Sequence, residues 1–181
     1  MEEETSVLLA NIGIEIALFV GAFVFSSFLE YWMHRLMHVP PKHPVRRIFP
    51  TIGKVHHEHH RRNEGQGVFG EFSDYVKGGF VLLSIGFLFS IEIGICWFMG
   101  TLCYAAFAAY AHQLQHENPR ACFWMKMPVH YVHHKYNQWH YNFGLGVDWW
   151  DRVFGTYYLV EWLSQEEQRE PVRGHLQLKW R

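Results

Sequence analysis

Histidines cluster at four places in the sequence, and their spacing suggests metal chemistry. The densest stretch reads KVHHEHHRR from Lys54 to Arg62, with four histidines in five residues. In a helix, His56, His59 and His60 fall at i, i+3 and i+4 and share one face, while His57 points away from it. Three imidazoles on one helix face are most of a metal coordination shell. The other ligands must then come from elsewhere in the chain.

Three further stretches carry histidines at helical spacings, two as HxxxH and one as a second HxxHH. Each alone has an ordinary interpretation as histidines on a helix surface. Together the four stretches supply ten histidines: His34 and His38; His56, His59 and His60; His112 and His116; His130, His133 and His134. Ten imidazoles are too many for one ion, so the sequence predicts two metal ions close together.

Imidazole ligands alone do not choose between zinc, iron, copper and nickel. A structural zinc needs four ligands, and a hydrolytic zinc pair usually has a bridging carboxylate, whereas Glu58 lies off the ligand face. Soluble di-iron proteins use Glu-x-x-His motifs, which the chain lacks. These comparisons favour a di-iron centre whose ligands are histidines, with zinc as a substitute metal.

Two apolar blocks must position these histidines. The block Val7–Leu29 is long enough to cross a bilayer core of ~30 Å, and helical composition continues to His38, before Pro40 and Pro41 stop the helix. The block Val76–Ala111 would span roughly 54 Å as one helix. We expect it to form a hairpin that turns near residues 90–94.

The positions of the basic residues favour the hairpin. All 16 Lys and Arg lie between Arg35 and Lys77 or from Arg120 onward. The positive-inside rule then places every polar segment after the first helix on the cytoplasmic side, with the N-terminus outside. The expected fold is an all-α integral membrane protein of one domain, with about three crossing helices near 7–33, 76–90 and 94–115. Residues 34–75 and 112–160 form a cytosolic cap, and 161–181 a peripheral tail.

Composition excludes some other functions. Lys plus Arg (16) nearly balance Asp plus Glu (17), so the charge does not indicate nucleic-acid binding. The cysteines Cys96, Cys103 and Cys122 lack CxxC spacing, which indicates small apolar residues rather than a thiolate site or a disulfide framework. The oligomeric state is not indicated.

The four histidine stretches are followed by Asn142-Phe143-Gly144 and by WDRVFGT at residues 150–156. As a set, from about His34 to Thr156, they resemble the fatty acid hydroxylase and sterol desaturase superfamily of integral-membrane di-iron enzymes. The segment Arg61–Tyr75 is also similar to the short carotenoid ring hydroxylases. The resemblance implies two iron ions on the cytosolic side, O2 as co-substrate, and the ten histidines as the catalytic metal ligands.

The second histidine stretch departs from the pattern of that superfamily. Many members read HKVHH there, and the matching register here, residues 53–57, begins with Gly53 instead of histidine. Either a ligand is lost and His56 with His57 are the ligands, or the motif lies three residues later. We favour the later register, with His56, His59 and His60, because it restores one helical face.

Other polar residues are candidates for hydrogen bonds that orient the ligand rings. Glu30 precedes His34 by one helical turn and is placed to accept an N–H from a ligand ring. The alternative interpretation of each candidate is an ordinary helix-surface or turn residue. The remaining candidates are His57, Glu58, His140, Asn142, Asp148 and Asp151.

The expected function is O2-dependent hydroxylation of a fatty acyl, sterol or carotenoid C–H bond in a membrane lipid. A desaturase with the same metals is one alternative, and a non-catalytic zinc-binding or transport protein is another. Because no dinucleotide fingerprint or fused cytochrome b5 motif is present, electrons should come from a separate ferredoxin or cytochrome b5. A bacterial inner membrane is favoured over the endoplasmic reticulum, since no targeting or retention signal is recognisable. The basic residues available for docking the carrier are Arg46, Arg47, Lys54, Arg61 and Arg62.

Overall fold

The computed structural model describes residues 2–48, 50–172 and 174–181, and all regular structure within them is helical. This confirms the predicted all-α class. The two longest helices are α1, Glu2–Met37, and α6, Ile91–Glu117. Both are long and apolar enough to cross a membrane.

The helices α1 and α6 pack against each other with little space between their backbones. A Cβ atom at Gly100 of α6 would clash with the carbonyl oxygen of Phe19 and would lie 2.9 Å from the Cβ of Ala22. Glycine and alanine at these positions therefore permit the close approach, as small residues do between membrane helices. The contact fixes the two helix ends that carry histidines.

The predicted hairpin is present, but its first arm is not one continuous helix. That arm consists of α4, Val68–Gly78, then α5, Phe80–Ser84, and a 3₁₀ turn, Ile85–Leu88. The chain then reverses, and the Ser90 hydroxyl accepts a hydrogen bond from the Ile93 N–H at the start of α6. The single helix expected at 76–90 is therefore wrong, and the membrane crossing by this segment stays a prediction. The consecutive glycines 78 and 79 favour the break, because glycine is a poor helix former.

Shorter helices pack around the ends of α1 and α6. Two of them carry the HxxHH stretches: α3, Ile52–Arg62, and α7, Val129–Lys135. Helix α3 ends at Asn63, whose left-handed conformation (φ 51°) suits a helix terminus. The others are α2, Pro44–Ile48; α8, Trp149–Val153; α9, Gln165–Arg169; and a 3₁₀ turn, Pro119–Ala121.

The end of the expected peripheral tail packs against the helical frame. Leu178 is buried in an apolar cluster with Leu114 and Val132. The backbone carbonyls of Lys179 and Trp180 accept hydrogen bonds at 3.0 Å from the first N–H groups of α4. These N–H groups have no partner within their own helix, so the tail caps α4.

Candidate metal centre

The structure brings all ten predicted histidines together where α1 and α6 end. His34 lies in the last turn of α1 and His38 follows it, and α6 carries His112 and His116 near its own end. Helices α3 and α7 supply the remaining six. Five of the ten side chains are buried and the other five are partly buried, and His130 is fully inaccessible to solvent. The rings form two adjacent sets.

The first cluster contains five histidines whose ligand atoms lie within 4.8 Å of one another: His34, His38, His56, His60 and His133. Its centre is His56, whose Nε2 atom lies 2.7 Å from Nε2 of His38 and 3.1 Å from Nε2 of His34. The Nε2 atom of His133 lies 3.0 Å from that of His38. Each of these contacts therefore joins the Nε2 atom of one ring to the Nε2 atom of another.

The second cluster contains four histidines that meet the same distance limit and His112, which adjoins them: His59, His112, His116, His130 and His134. The Nε2 atom of His112 lies 3.2 Å from that of His59 and 3.3 Å from that of His116. The rings of His134 and His60 stack at 4.0 Å, so the two clusters are in direct contact.

Helix α3 contributes to both clusters, and this arrangement supports the register chosen from the sequence. Of its three candidate ligands, His56 and His60 belong to the first cluster and His59 belongs to the second. His57 is exposed, and its ring contacts Trp139 at 6.0 Å. The ligand role of His56, His59 and His60 remains a proposal, but their geometry suits it and that of His57 does not.

The hydrogen bonds of the rings show that the first cluster suits a cation. The Nδ1 atoms of His34 and His133 lie 2.6 Å and 2.8 Å from the carbonyl oxygens of Phe143 and Tyr141, so they carry the N–H. Their Nε2 atoms therefore carry lone pairs. The Nε2 atom of His56 lies within 3.1 Å of three other Nε2 atoms, more than one N–H can serve. The lone pairs of these Nε2 atoms repel one another, and a metal ion bound between them would remove the repulsion.

In the second cluster, too, buried ring nitrogens lack a hydrogen-bond donor or acceptor among the described residues. Both ring nitrogens of His134 are buried without a hydrogen-bond partner among the described residues. The Nδ1 atom of His59 donates to the Glu64 carbonyl at 3.2 Å, which leaves a lone pair on its Nε2 atom. Buried polar groups without partners are costly. These atoms are therefore placed to bind a metal.

Burial keeps the candidate ligands neutral. For His38 and His60, desolvation on burial is the largest cause of the lowered pKa, and repulsion between neighbouring imidazolium charges adds to it. The pKa of His38 is lowered to about 2 and that of His60 to about 3. The pKa of His59 and that of His133 are each lowered to about 4, again chiefly by burial. A neutral imidazole is the form that binds a metal ion.

The Asn142-Phe143-Gly144 motif orients the first cluster through its backbone. Besides Phe143, the preceding Tyr141 supplies a carbonyl oxygen, which accepts from His133. Asn142 adopts a left-handed conformation (φ 59°), which allows the sharp turn between the two carbonyl groups. Its side chain donates to the Tyr158 carbonyl at 2.9 Å and accepts from the Tyr158 N–H at 3.0 Å.

Asp151 of the WDRVFGT motif holds the same loop. Its carboxylate accepts the N–H groups of Phe143 at 2.8 Å and Gly144 at 2.7 Å, and the Thr156 hydroxyl at 2.7 Å. The Trp150 indole donates to Ser27 of α1 at 2.9 Å, which ties the segment to the helix that carries His34. Asp151 therefore acts on the metal site through the backbone of Phe143.

Glu71 of α4 is a site residue that the sequence did not indicate. Its Oε1 atom lies 3.1 Å from Nδ1 of His112. Burial alone would raise the pKa of Glu71, but its contacts with His112 and with the Gln66 backbone outweigh burial and lower the pKa to about 2. The second cluster thus has a carboxylate beside a ligand ring, an arrangement common around metal-bound histidines.

The predicted contact between Glu30 and a ligand ring is wrong. Glu30 is buried, and its carboxylate accepts hydrogen bonds from the hydroxyls of Tyr75 and Tyr104 and from the Gly146 N–H. Both tyrosines come from helices packed against α1, and sequence spacing within α1 cannot reveal them. Glu30 joins α1, α4 and α6 beneath the clusters.

Three other predicted neighbours of the ligands lie elsewhere. Glu58 pairs with Arg61 and Arg62 on the outer face of α3. Asp148 pairs with Arg152 at 2.7 Å, and His140 is exposed outside both clusters. None of these three side chains has a hydrogen bond to a candidate ligand among the described contacts, so the expectation that they orient the rings is not supported.

A family model described as fatty acid hydroxylase matches residues 19–156. The chain belongs to the fatty acid hydroxylase family. This confirms the resemblance to the fatty acid hydroxylase and sterol desaturase superfamily. The match includes all ten clustered histidines and both downstream motifs. No significant match exists among curated proteins or among solved structures.

Family membership and the two apolar helices together indicate a membrane protein. Proteins of this family are typically metal-dependent oxidoreductases. The two histidine clusters fit such a metal requirement by geometry and by protonation state.

Proposed function

We propose that this fatty acid hydroxylase family protein is a membrane lipid hydroxylase that uses two iron ions, O2 and electrons from a separate carrier. One observation carries the proposal: two five-histidine clusters in ring contact, at the ends of two helices of membrane-spanning length. When bound, two iron ions would supply the capacity to activate O2. The first cluster and the second cluster would hold one ion each.

The protein's own part is to hold the ligands in position and keep water away. The carbonyls of Tyr141 and Phe143 and the carboxylate of Glu71 fix three of the rings. Burial keeps the rings neutral and limits the access of water, which would otherwise compete with the substrate for reactive species. Preorganised ligands of this kind lose little free energy when the metal binds.

The surroundings of the centre suit a lipid substrate. Trp32, Phe28, Trp150 and Phe154 pack together where α1 approaches the clusters. Aromatic residues are favoured at the level of lipid headgroups. The substrate chain is therefore proposed to enter from the bilayer beside this aromatic group, with the metal centre at the cytoplasmic face and the N-terminus outside.

Desaturation is the second candidate reaction, because the same centre could remove two hydrogen atoms from neighbouring carbons. A zinc-binding or transport protein remains a third candidate. Transport would require polar groups along the membrane path, but in the part of α6 before His112 the charged residue is Glu92, in its first turn. We therefore favour an enzyme. A bacterial inner membrane is the proposed location.

Lipid analysis with matched variants tests this function. Cells that express the parent chain should accumulate a lipid with one added oxygen atom, or a lipid short of two hydrogen atoms if the enzyme is a desaturase. His59→Ala should abolish either product, whereas His140→Ala, which changes an exposed histidine outside both clusters, should not. Purified protein that holds iron, receives electrons and changes no lipid would contradict both enzymatic proposals.

A further inference from the structure

A groove lined by apolar and basic residues, with no acidic residue among them, lies beside the first cluster. It runs between the end of α1, α2 and the start of α3. Its lining includes His38, Pro41, Arg46, Lys54, His57 and Trp139. We call it the basic groove. We propose that the basic groove docks an acidic one-electron carrier protein, and that Trp139 relays the electrons to the first cluster.

The need for a carrier follows from the stoichiometry of the proposed function, on which this inference rests. Hydroxylation balances as RH + O2 + 2 e⁻ + 2 H⁺ → ROH + H2O. The C–H bond gives two electrons, and the other two must come from outside. A redox protein such as an iron–sulfur or haem protein delivers them singly, so it must dock close to the metal ligands.

Charge favours an acidic partner. Between Arg35 and Glu64 the sequence contains seven Lys or Arg residues and two Glu residues. Glu58, the acidic residue of α3, is engaged by Arg61 and Arg62 at its far end. Lys54 in the groove lining and Lys42 beside it are exposed. Positive surfaces of this kind attract acidic partners and speed their association.

Arg46 shows that the groove is a built feature. Its guanidinium donates to the carbonyl oxygens of Val39 at 3.2 Å and Met37 at 3.4 Å, which are left free at the end of α1. A Cβ atom at Gly53 would clash with the guanidinium of Arg46. The guanidinium thus occupies the space beside position 53, and glycine makes room for it.

Trp139 connects the groove with the metal ligands. Its ring stacks on His60 at 5.6 Å with an interplanar angle of 18° and meets His38 edge-on at 4.9 Å. The ring also lies 6.0 Å from the ring of the exposed His57. Trp139 is half-buried. A carrier seated in the groove would therefore contact an aromatic ring that touches two candidate ligands.

Binding to a defined carrier tests the docking site without relying on activity. The parent protein is placed in nanodiscs of neutral phosphatidylcholine, and its affinity for an acidic [2Fe–2S] ferredoxin is measured. The double variant Lys42→Glu/Lys54→Glu should bind roughly tenfold more weakly at low salt. The difference should shrink at high ionic strength, because salt screens exposed charges.

Lys126→Glu/Lys179→Glu is the matched control, since it changes the net charge equally with exposed lysines outside the groove. It should retain the parent affinity. Equal weakening of both double variants, or of neither, would overturn the proposal. So would a charge effect seen only when the nanodiscs contain anionic phospholipid, because the groove would then face lipid headgroups.

The relay is tested with Trp139→Leu and Trp139→Phe at equal metal content. Mixed with reduced ferredoxin, the leucine variant should receive electrons more slowly than the parent, and the phenylalanine variant should recover much of the rate. Equal rates for parent and leucine variant would refute the relay. Whether the dithionite-reduced parent protein modifies lipid is measured separately and tests the proposed function alone.

Discussion

The two histidine clusters have the same number and type of candidate ligands, but the groups that orient them differ. In the first cluster, His34 and His133 donate to backbone carbonyls of one loop. In the second cluster, the Nδ1 atom of His112 faces the carboxylate of Glu71. A carboxylate partner makes an imidazole a stronger donor to the metal than a neutral carbonyl does. The two metal positions are therefore expected to be chemically unequal.

Loss of a ligand should have the largest effect and should act on one cluster first. We expect His133→Ala to empty the first cluster and His130→Ala the second, each lowering the metal content by about one ion per chain. Both variants should lose all lipid product, because both ions are needed. Metal analysis of the purified variants measures this. An unchanged metal content in either variant would show that the cluster concerned is not a site.

Disturbance of the loop should weaken only the first cluster. Asp151→Asn replaces one accepting oxygen by an amide that cannot accept the N–H groups of Phe143 and Gly144 together. Metal affinity of the first cluster should fall roughly 10- to 100-fold, and the free energy of unfolding should fall by about 1–3 kcal/mol. Metal titration with thermal unfolding measures both. Equal weakening of the two clusters would show that the loop does not act on the first alone.

Removal of the carboxylate should give the opposite selectivity. Glu71→Gln keeps the size of the side chain but removes its charge, so affinity at the second cluster should fall by roughly 10- to 100-fold while the first is unaffected. The exposed Glu64→Gln is the control. If both variants titrate with metal as the parent does, the difference between the clusters has another cause.

Acid should act on both clusters over the same pH range. The pKa of His133 in the first cluster and that of His59 in the second are each lowered to about 4, chiefly by burial. Because a ligand with a lowered pKa stays neutral to a lower pH, metal should remain bound as pH falls through the ordinary histidine value of about 6.5. Protons should displace the metal only nearer pH 4. Metal content measured at stepped pH tests this, and loss of metal from either cluster near the ordinary histidine value of about 6.5 would contradict it.

Local spacing explains why the sequence was sufficient to find the ten histidines. HxxxH and HxxHH place rings on one helix face whatever the helix packs against, and Pro40 and Pro41 stop α1 close to His38. The division of α3 between two clusters depends on which helices face it, so His56 and His59 could not be assigned to different ions in advance.

Contacts between distant segments account for what the sequence did not reveal. Glu71 precedes His112 by a whole helical hairpin, and Glu30 meets tyrosines of α4 and α6 rather than a ring on its own helix. The break at Gly79 divides the helix expected at 76–90, and hydropathy does not register such a break. The tail was expected to be peripheral because its composition is polar, yet Leu178 is buried.

Metal stoichiometry tests the two-ion centre most directly. The parent chain, His57→Ala and His59→Ala should be purified from iron-supplemented cells and assayed for iron and zinc per chain. Two iron ions per chain are expected in the parent and in His57→Ala, with fewer in His59→Ala. One ion per chain in the parent, zinc alone, or loss of metal on His57→Ala instead of His59→Ala would contradict a di-iron centre held by His56, His59 and His60.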